Sequence, residues 1–149
     1  MVQFSGKGIK TVLICFFILT GNSACKDDYT SVVPYVIVNE NFSITNYIEL
    51  KIPGGFVYFK NMGFGGIIIF SDLTDSSNPY LAYDATCTYE VSSTCRVVVT
   101  EGSGVAKCPC CGSEFILFSG SGSPTKGPAV EPLKQYRTSY SGGRITVRN

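Results

Sequence analysis

An all-β antiparallel sandwich or small barrel is the fold this sequence predicts, on three observations. Short apolar runs of strand length recur from about residue 42 to the C-terminus. Glycine-rich turns separate them, and no apolar pattern of helical period runs to a useful length in the same stretch. Composition points the same way: 16 glycines, 9 tyrosines and 10 phenylalanines among 149 residues favour strands and tight turns.

In chain order the predicted strands are Tyr47–Ile52, Phe56–Lys60, Ile67–Ser71, Tyr80–Asp84, Arg96–Thr100, Val105–Lys107, Glu114–Phe118, Lys134–Tyr140 and Arg144–Val147. Pro53-Gly54-Gly55, Gly63-Phe64-Gly65-Gly66, Gly102-Ser103-Gly104, Gly120-Ser121-Gly122 and Ser141-Gly142-Gly143 supply residues that tolerate positive φ between them. Ile67-Ile68-Ile69-Phe70 does not alternate, which suits a strand buried on both faces. Lys26 to about Asn41 reads as a short tether; Pro34 interrupts its one apolar stretch, Val32–Val38, which argues there for an edge strand, not a central one.

The N-terminus has the three-part layout of a secretory signal. Lys7 and Lys10 precede the apolar run Thr11–Thr20, and the small polar segment 21–24 follows it. The run is far short of the roughly 20 residues that span a bilayer. No twin arginine is present, so the chain is expected to cross the membrane unfolded. Ser23-Ala24-Cys25 resembles a lipobox, with Asn22 where leucine is usual, and Cys25-Lys26-Asp27-Asp28 resembles a surface-export signal of bacterial lipoproteins. Residues 1–24 are therefore read as a lipoprotein signal, 25–41 as a tether lipidated at Cys25, and 42–149 as the β domain. Two or more acyl chains would hold such a protein at a membrane, here the bacterial outer membrane or cell surface.

Net charge is +1, and no basic patch marks a nucleic-acid partner. Lys134, Arg137, Arg144 and Arg148 read as the solvated face of strands. The chain has no histidine, so no Ser–His or Cys–His couple exists, and its acids are scattered. An enzyme is the least supported class.

Of the 7 cysteines, Cys15 leaves with the signal and Cys25 takes lipid. Cys87, Cys95, Cys108, Cys110 and Cys111 remain. Four metal ligands and one spare thiol is one partition; two disulfides and a spare is another, which export permits. Cys108-Pro109-Cys110-Cys111-Gly112 holds a Cys-Pro-x-Cys-Gly turn similar to the knuckle of zinc ribbons and rubredoxins, a tight turn that presents two sulfurs to one ion. Tetrahedral zinc needs a second pair, which Cys87 and Cys95 can supply if Thr88–Thr94 loops at the same end of the sheet.

Cys108-Pro109-Cys110-Cys111-Gly112-Ser113 also resembles the second box of the Rieske iron–sulfur family, Cys-Pro-Cys-His-Gly-Ser, with Cys111 in the position of the ligand histidine. Cys87-Thr88-Tyr89 resembles its first box, with Tyr89 in the other histidine position. Gly127–Leu133 resembles the family's proline-containing loop, and the likeness covers roughly residues 42–149. It implies a Rieske-like antiparallel β-sandwich with a small cysteine-bearing two-loop subdomain. It also implies a Cys95–Cys110 bridge as the rival claim on Cys95. A Rieske centre takes two cysteines and two histidines, so this chain cannot build one. Tyr89, a phenol mostly protonated at neutral pH, is expected to be packed or hydrogen-bonded, and Ser113 to be a turn serine.

The reading adopted is a membrane-anchored accessory or interaction module with a structural metal site at Cys87, Cys95, Cys108 and Cys111, Cys110 spare and zinc as the metal. Zinc can bind after export, whereas a chain threaded unfolded cannot carry a finished cluster. The alternatives are an all-cysteine [2Fe–2S] electron-transfer protein and a metal-free degenerate domain with disulfides.

Overall fold

The computed structural model describes residues 30–72 and 76–149. The signal segment, Cys15, Cys25 and the first residues of the tether lie outside the described residues. Among the described residues, no helix is long and apolar enough to cross a membrane.

Among the described residues, ten strands are arranged in two antiparallel sheets. They are β1 (Asn39–Ser43), β2 (Phe56–Phe59), β3 (Ile67–Ser71), β4 (Tyr80–Asp84), β5 (Val98–Thr100), β6 (Val105–Lys107), β7 (Glu114–Ile116), β8 (Pro124–Lys126), β9 (Gln135–Ser141) and β10 (Arg144–Arg148). The larger sheet runs β1-β10-β9-β4-β3-β2 and the smaller β5-β6-β7-β8. The all-β expectation holds throughout the domain.

β3 explains how the core is built. Its five residues are all buried, as the missing alternation predicts. Ile68 and Phe70 join a cluster with Tyr83, Val97, Phe115 and Leu117, toward the smaller sheet. Ile67 and Ile69 join a second cluster with Phe42, Leu50, Tyr136, Ile145 and Val147. One strand thus serves two hydrophobic layers, each fed by alternate side chains.

Three expectations are corrected. Tyr47–Ile52 is not a strand: it holds the short 3₁₀ turn Ile48–Lys51, which follows another at Ile44–Asn46. Only Leu50 of the Ile48–Lys51 turn is buried, so the segment has no face of period two to offer a sheet. The strand β8, which begins at Pro124, was not anticipated, since proline argues against a strand except at an edge, and β8 is the edge of its sheet. The boundary drawn at residue 42 falls inside β1, which pairs with β10 from Asn39↔Arg148 to Ser43↔Arg144. Val33 and Val38 are buried, and the Val38 N–H donates to Asn149 Oδ1 at 2.7 Å. Lys134, expected on a solvated face, donates from Nζ to the Pro34 carbonyl at 3.2 Å; Arg137, Arg144 and Arg148 are exposed as expected.

Beneath the cysteine end lies Asp84, the fully buried last residue of β4. Its Oδ1 accepts from the N–H groups of Gly65 at 3.0 Å and Thr86 at 2.9 Å, and from the Thr86 hydroxyl. Its Oδ2 accepts from the Phe64 N–H at 2.8 Å and the Tyr136 hydroxyl at 2.7 Å. A buried carboxylate tolerates its surroundings only when its lone pairs are filled, and here they fix the point where the chain leaves β4 for the first cysteine loop.

Candidate metal centre

Two loops carry the sulfurs. The first follows β4 and holds Cys87 and Cys95; the second joins β6 to β7 and holds Cys108, Cys110 and Cys111. An isolated antiparallel bridge, Thr86↔Arg96, closes the base of the first loop, and the Cys87 N–H donates to the Cys95 carbonyl at 3.2 Å. The second loop is a tight turn. The Gly112 N–H donates to the Cys108 carbonyl at 2.9 Å, the Cys108 N–H donates to the Ser113 carbonyl at 2.8 Å, and Gly112 has φ +77°. That left-handed conformation is why glycine ends the Cys-Pro-Cys-Cys run.

The proline-containing loop lies across this turn. The Ala129 N–H donates to Ser113 Oγ at 3.0 Å, and the Thr88 hydroxyl donates to the Glu131 carbonyl at 2.7 Å, which ties the same loop to the first one. Gly127, with φ +89°, lies so close that a Cβ there would fall 2.5 Å from Ser113 Cα. Ser113 is therefore more than a turn serine: it is fully buried and joins the cover loop to the cysteine turn.

Cys87, Cys108 and Cys111 are free, with their Sγ atoms all within 4.8 Å of one another. Cys87 and Cys108 are buried and Cys111 half-buried. Cys87 Sγ lies 3.5 Å from Cys111 Sγ, and the Cys111 thiol donates to Ser113 Oγ at 3.2 Å. Cys95 Sγ lies 3.4 Å from Cys108 Sγ but is bonded to Cys110, with the two Cα atoms 6.2 Å apart. The four-cysteine ligand set is corrected accordingly. Cys95 is not a free thiol and Cys110 is not spare; the thiols left free to converge are Cys87, Cys108 and Cys111. Spacing along the chain could not choose between Cys108 and Cys110 as the neighbour of Cys95, because a turn brings both to the same loop end. Tyr89 is 55% exposed rather than packed.

The thiols differ electrostatically. Burial pushes the Cys87 thiol up to about 12, against backbone hydrogen bonds from Glu90 and Tyr89. Burial also acts upward on Cys111, but the Ser113 hydroxyl and N–H, with the neighbouring thiols, hold it below the ordinary thiol range. Cys111 is therefore poised to ionise before Cys87, and a metal ion would have to draw the proton from Cys87.

A metal fit follows from the donor set. Zn–S bonds of about 2.3 Å in a tetrahedron put neighbouring sulfurs about 3.8 Å apart, close to the observed Cys87–Cys111 separation of 3.5 Å. Three thiolates leave one position for water or another donor. An all-cysteine two-iron cluster needs four protein ligands, and the thiols free among the described residues are Cys87, Cys108 and Cys111.

This fold and site define a class: an antiparallel sandwich carrying two cysteine loops under a proline-containing cover. The chain carries a Rieske-like domain. Among solved structures it is similar to the cyanobacterial plasma membrane Rieske protein PetC3 from Synechocystis PCC 6803, with 29% identity over 77% of this chain and 100% of that one, and a TM-score of 0.54. The ferredoxin of carbazole 1,9a-dioxygenase from Nocardioides aromaticivorans IC177 shares the fold at 20% identity, over 76% of this chain and 98% of that one, with a TM-score of 0.51. No protein-family model and no curated protein matches the chain.

Proposed function

We propose that this protein is a membrane-anchored Rieske-like domain whose cluster end holds a single thiophilic metal ion, zinc by the chemistry of its donors, through Cys87, Cys108 and Cys111. The convergence of three free sulfurs within 4.8 Å carries this reading. Zinc accepts thiolates in tetrahedral geometry and has no redox chemistry of its own, so its role here is to tie the two loops together. The domain then serves as an accessory or interaction module at the envelope, held at the outer membrane or cell surface by lipid on Cys25.

Metal analysis with an absorption spectrum tests it. Protein purified without added metal should be colourless, with about one zinc per chain. Cys87→Ser, Cys108→Ser and Cys111→Ser should each lower zinc content, while Cys110→Ser should retain it. The likeness to a Rieske protein supports a second reading, an iron–sulfur electron carrier. Brown protein with iron and acid-labile sulfide would establish that reading and overturn zinc.

A further inference from the structure

A cleft of about 310 Å³ lies between β2 and β5, the edge strands of the two sheets. β2 supplies Phe56 and Tyr58, β3 supplies Ile68, and residues 96–99, which lead into β5, form the opposite wall. The floor is the core itself. Ile68, Val97 and Val99 are buried members of the cluster toward the smaller sheet, and Phe56 packs against that cluster.

One charge stands in this apolar wall. Arg96 is half-buried, and its Nε is buried with no hydrogen-bond partner. The ion pairs among the described residues, Lys107–Glu114 and Lys126–Glu114, do not involve it. Beside its guanidinium lies the Tyr58 hydroxyl, which donates to the Gly65 carbonyl at 2.9 Å. Burial raises that phenol above its ordinary value, so it stays protonated and supplies no counter-charge. Asp84, whose charge also reaches Tyr58, has its oxygens occupied by donors from Phe64, Gly65, Thr86 and Tyr136. A buried donor without an acceptor is costly. Arg96 therefore offers a positive charge and an unmatched donor to a molecule that enters the cleft.

We infer that this cleft binds a small monocarboxylate with an apolar body, its carboxylate on the Arg96 guanidinium and its chain or ring against Phe56, Ile68 and the valines of the opposite wall. Charge and shape select the class. A carboxylate presents two oxygens in one plane, which match the planar guanidinium fork and neutralise its single charge. A phosphate ester brings a second negative charge and a further oxygen, which would be buried against valine and phenylalanine side chains without partners. Size selects within the class. The volume is at the small end of the range for ligand pockets, about 300–1,000 Å³, so a medium-chain acid or a single ring fits in preference to a long-chain lipid. Binding uses none of the sulfurs and stands apart from the metal reading.

Nitrogen–proton correlation NMR of the purified protein, extended to the arginine Nε–H region, tests the inference by titration with sodium octanoate near neutral pH. Octanoate should shift the Arg96 Nε–H and the amides of residues 96–99 along one saturable curve. Octanamide has the same body without the charge, and acetate has the charge without the body. Each should bind at least about tenfold more weakly. Arg96→Met should weaken octanoate binding by at least about tenfold. Val98→Asp, at a position 63% exposed on the rim, should weaken it by about fivefold or more through repulsion. Octanamide or acetate binding as tightly as octanoate would overturn the inference. So would octanoate shifts that do not saturate or that scatter over both sheets. Should Arg96→Met fail to fold, Val98→Asp decides, and undiminished octanoate binding to that variant overturns the inference. Shifts of the same amides on raising protein concentration without octanoate would assign the cleft to a second copy of the chain and overturn it as well.

Discussion

Ser113 is the residue on which the cover and the cysteine turn converge. Its hydroxyl oxygen accepts from the Ala129 N–H and from the Cys111 thiol, and the residue is fully buried. Ser113→Ala removes that acceptor and leaves the Ala129 N–H without its partner, at a cost of about 1–3 kcal/mol. Urea denaturation of metal-free protein should show the loss as a lower midpoint with an unchanged slope. Cys87 makes a second prediction at this scale. Its folded-state value is raised from 9.0 to about 12, so the neutral thiol is favoured by folding. The stability it contributes is complete below pH 9 and is lost as pH rises toward 12. Melting temperature of the metal-free protein should therefore fall across that window, and Cys87→Ala should flatten the fall. Cys111 has the opposite sign: its thiolate is favoured in the fold, so its contribution is present above the ordinary thiol range and lost as pH falls through its lowered value.

At the scale of elements, the joint between β4 and the first cysteine loop depends on Asp84. Asp84→Ala would strand the N–H groups of Phe64, Gly65 and Thr86 and the hydroxyls of Thr86 and Tyr136. With several buried donors left unpaired at about 1–3 kcal/mol each, a loss of more than about 3 kcal/mol is expected. Hydrogen exchange should show residues 63–66 and 85–87 opening before the rest of β3 and β4. This joint was not legible in the sequence, where Asp84 reads as one acid among scattered others; its donors come from segments up to 52 residues away. β3 and β4 were legible to the residue, because strong apolar runs end at clear turn signals. Tyr47–Ile52 misled because its mix of apolar and charged residues carries no period that survives in the structure. β1 was hidden for the converse reason: Asn39, Glu40 and Asn41 have little strand propensity, and pairing with β10 supplies what local preference does not. The site was legible as a pair of cysteine loops, since motif order carries over to space. Spacing alone did not decide whether Cys95 is a ligand or a disulfide partner; the Cys95–Cys110 bridge, implied only by the resemblance as the rival claim, is the one that forms.

For the whole molecule, the proposed lipid anchor and the proposed metal site make separable predictions. Cys25→Ser should shift the protein from the detergent phase to the aqueous phase, or leave the precursor uncleaved, without altering zinc content. A water-soluble wild-type product with an unmodified N-terminus would exclude the lipid anchor. Metal loading should act on folding instead. Zinc at 100 times its dissociation constant should stabilise the domain by about 2.7 kcal/mol, readable as a higher melting temperature that depends on zinc concentration.

The pairing of β1 with β10 has a mechanical consequence. The Asn149 side chain and main chain hold Val38, and Asn39 lies opposite Arg148 in the first register pair. Both strands therefore offer their outer ends at the same corner of the sheet. Tension applied between residues 38 and 149 breaks the Val38–Asn149 contacts first and then opens the strand pair one rung at a time, like a zip, instead of loading all rungs together in shear. In an optical trap, handles at these two positions should peel β1 away at low force. Handles at Val38 and Ser141, the far end of β9, should meet higher resistance.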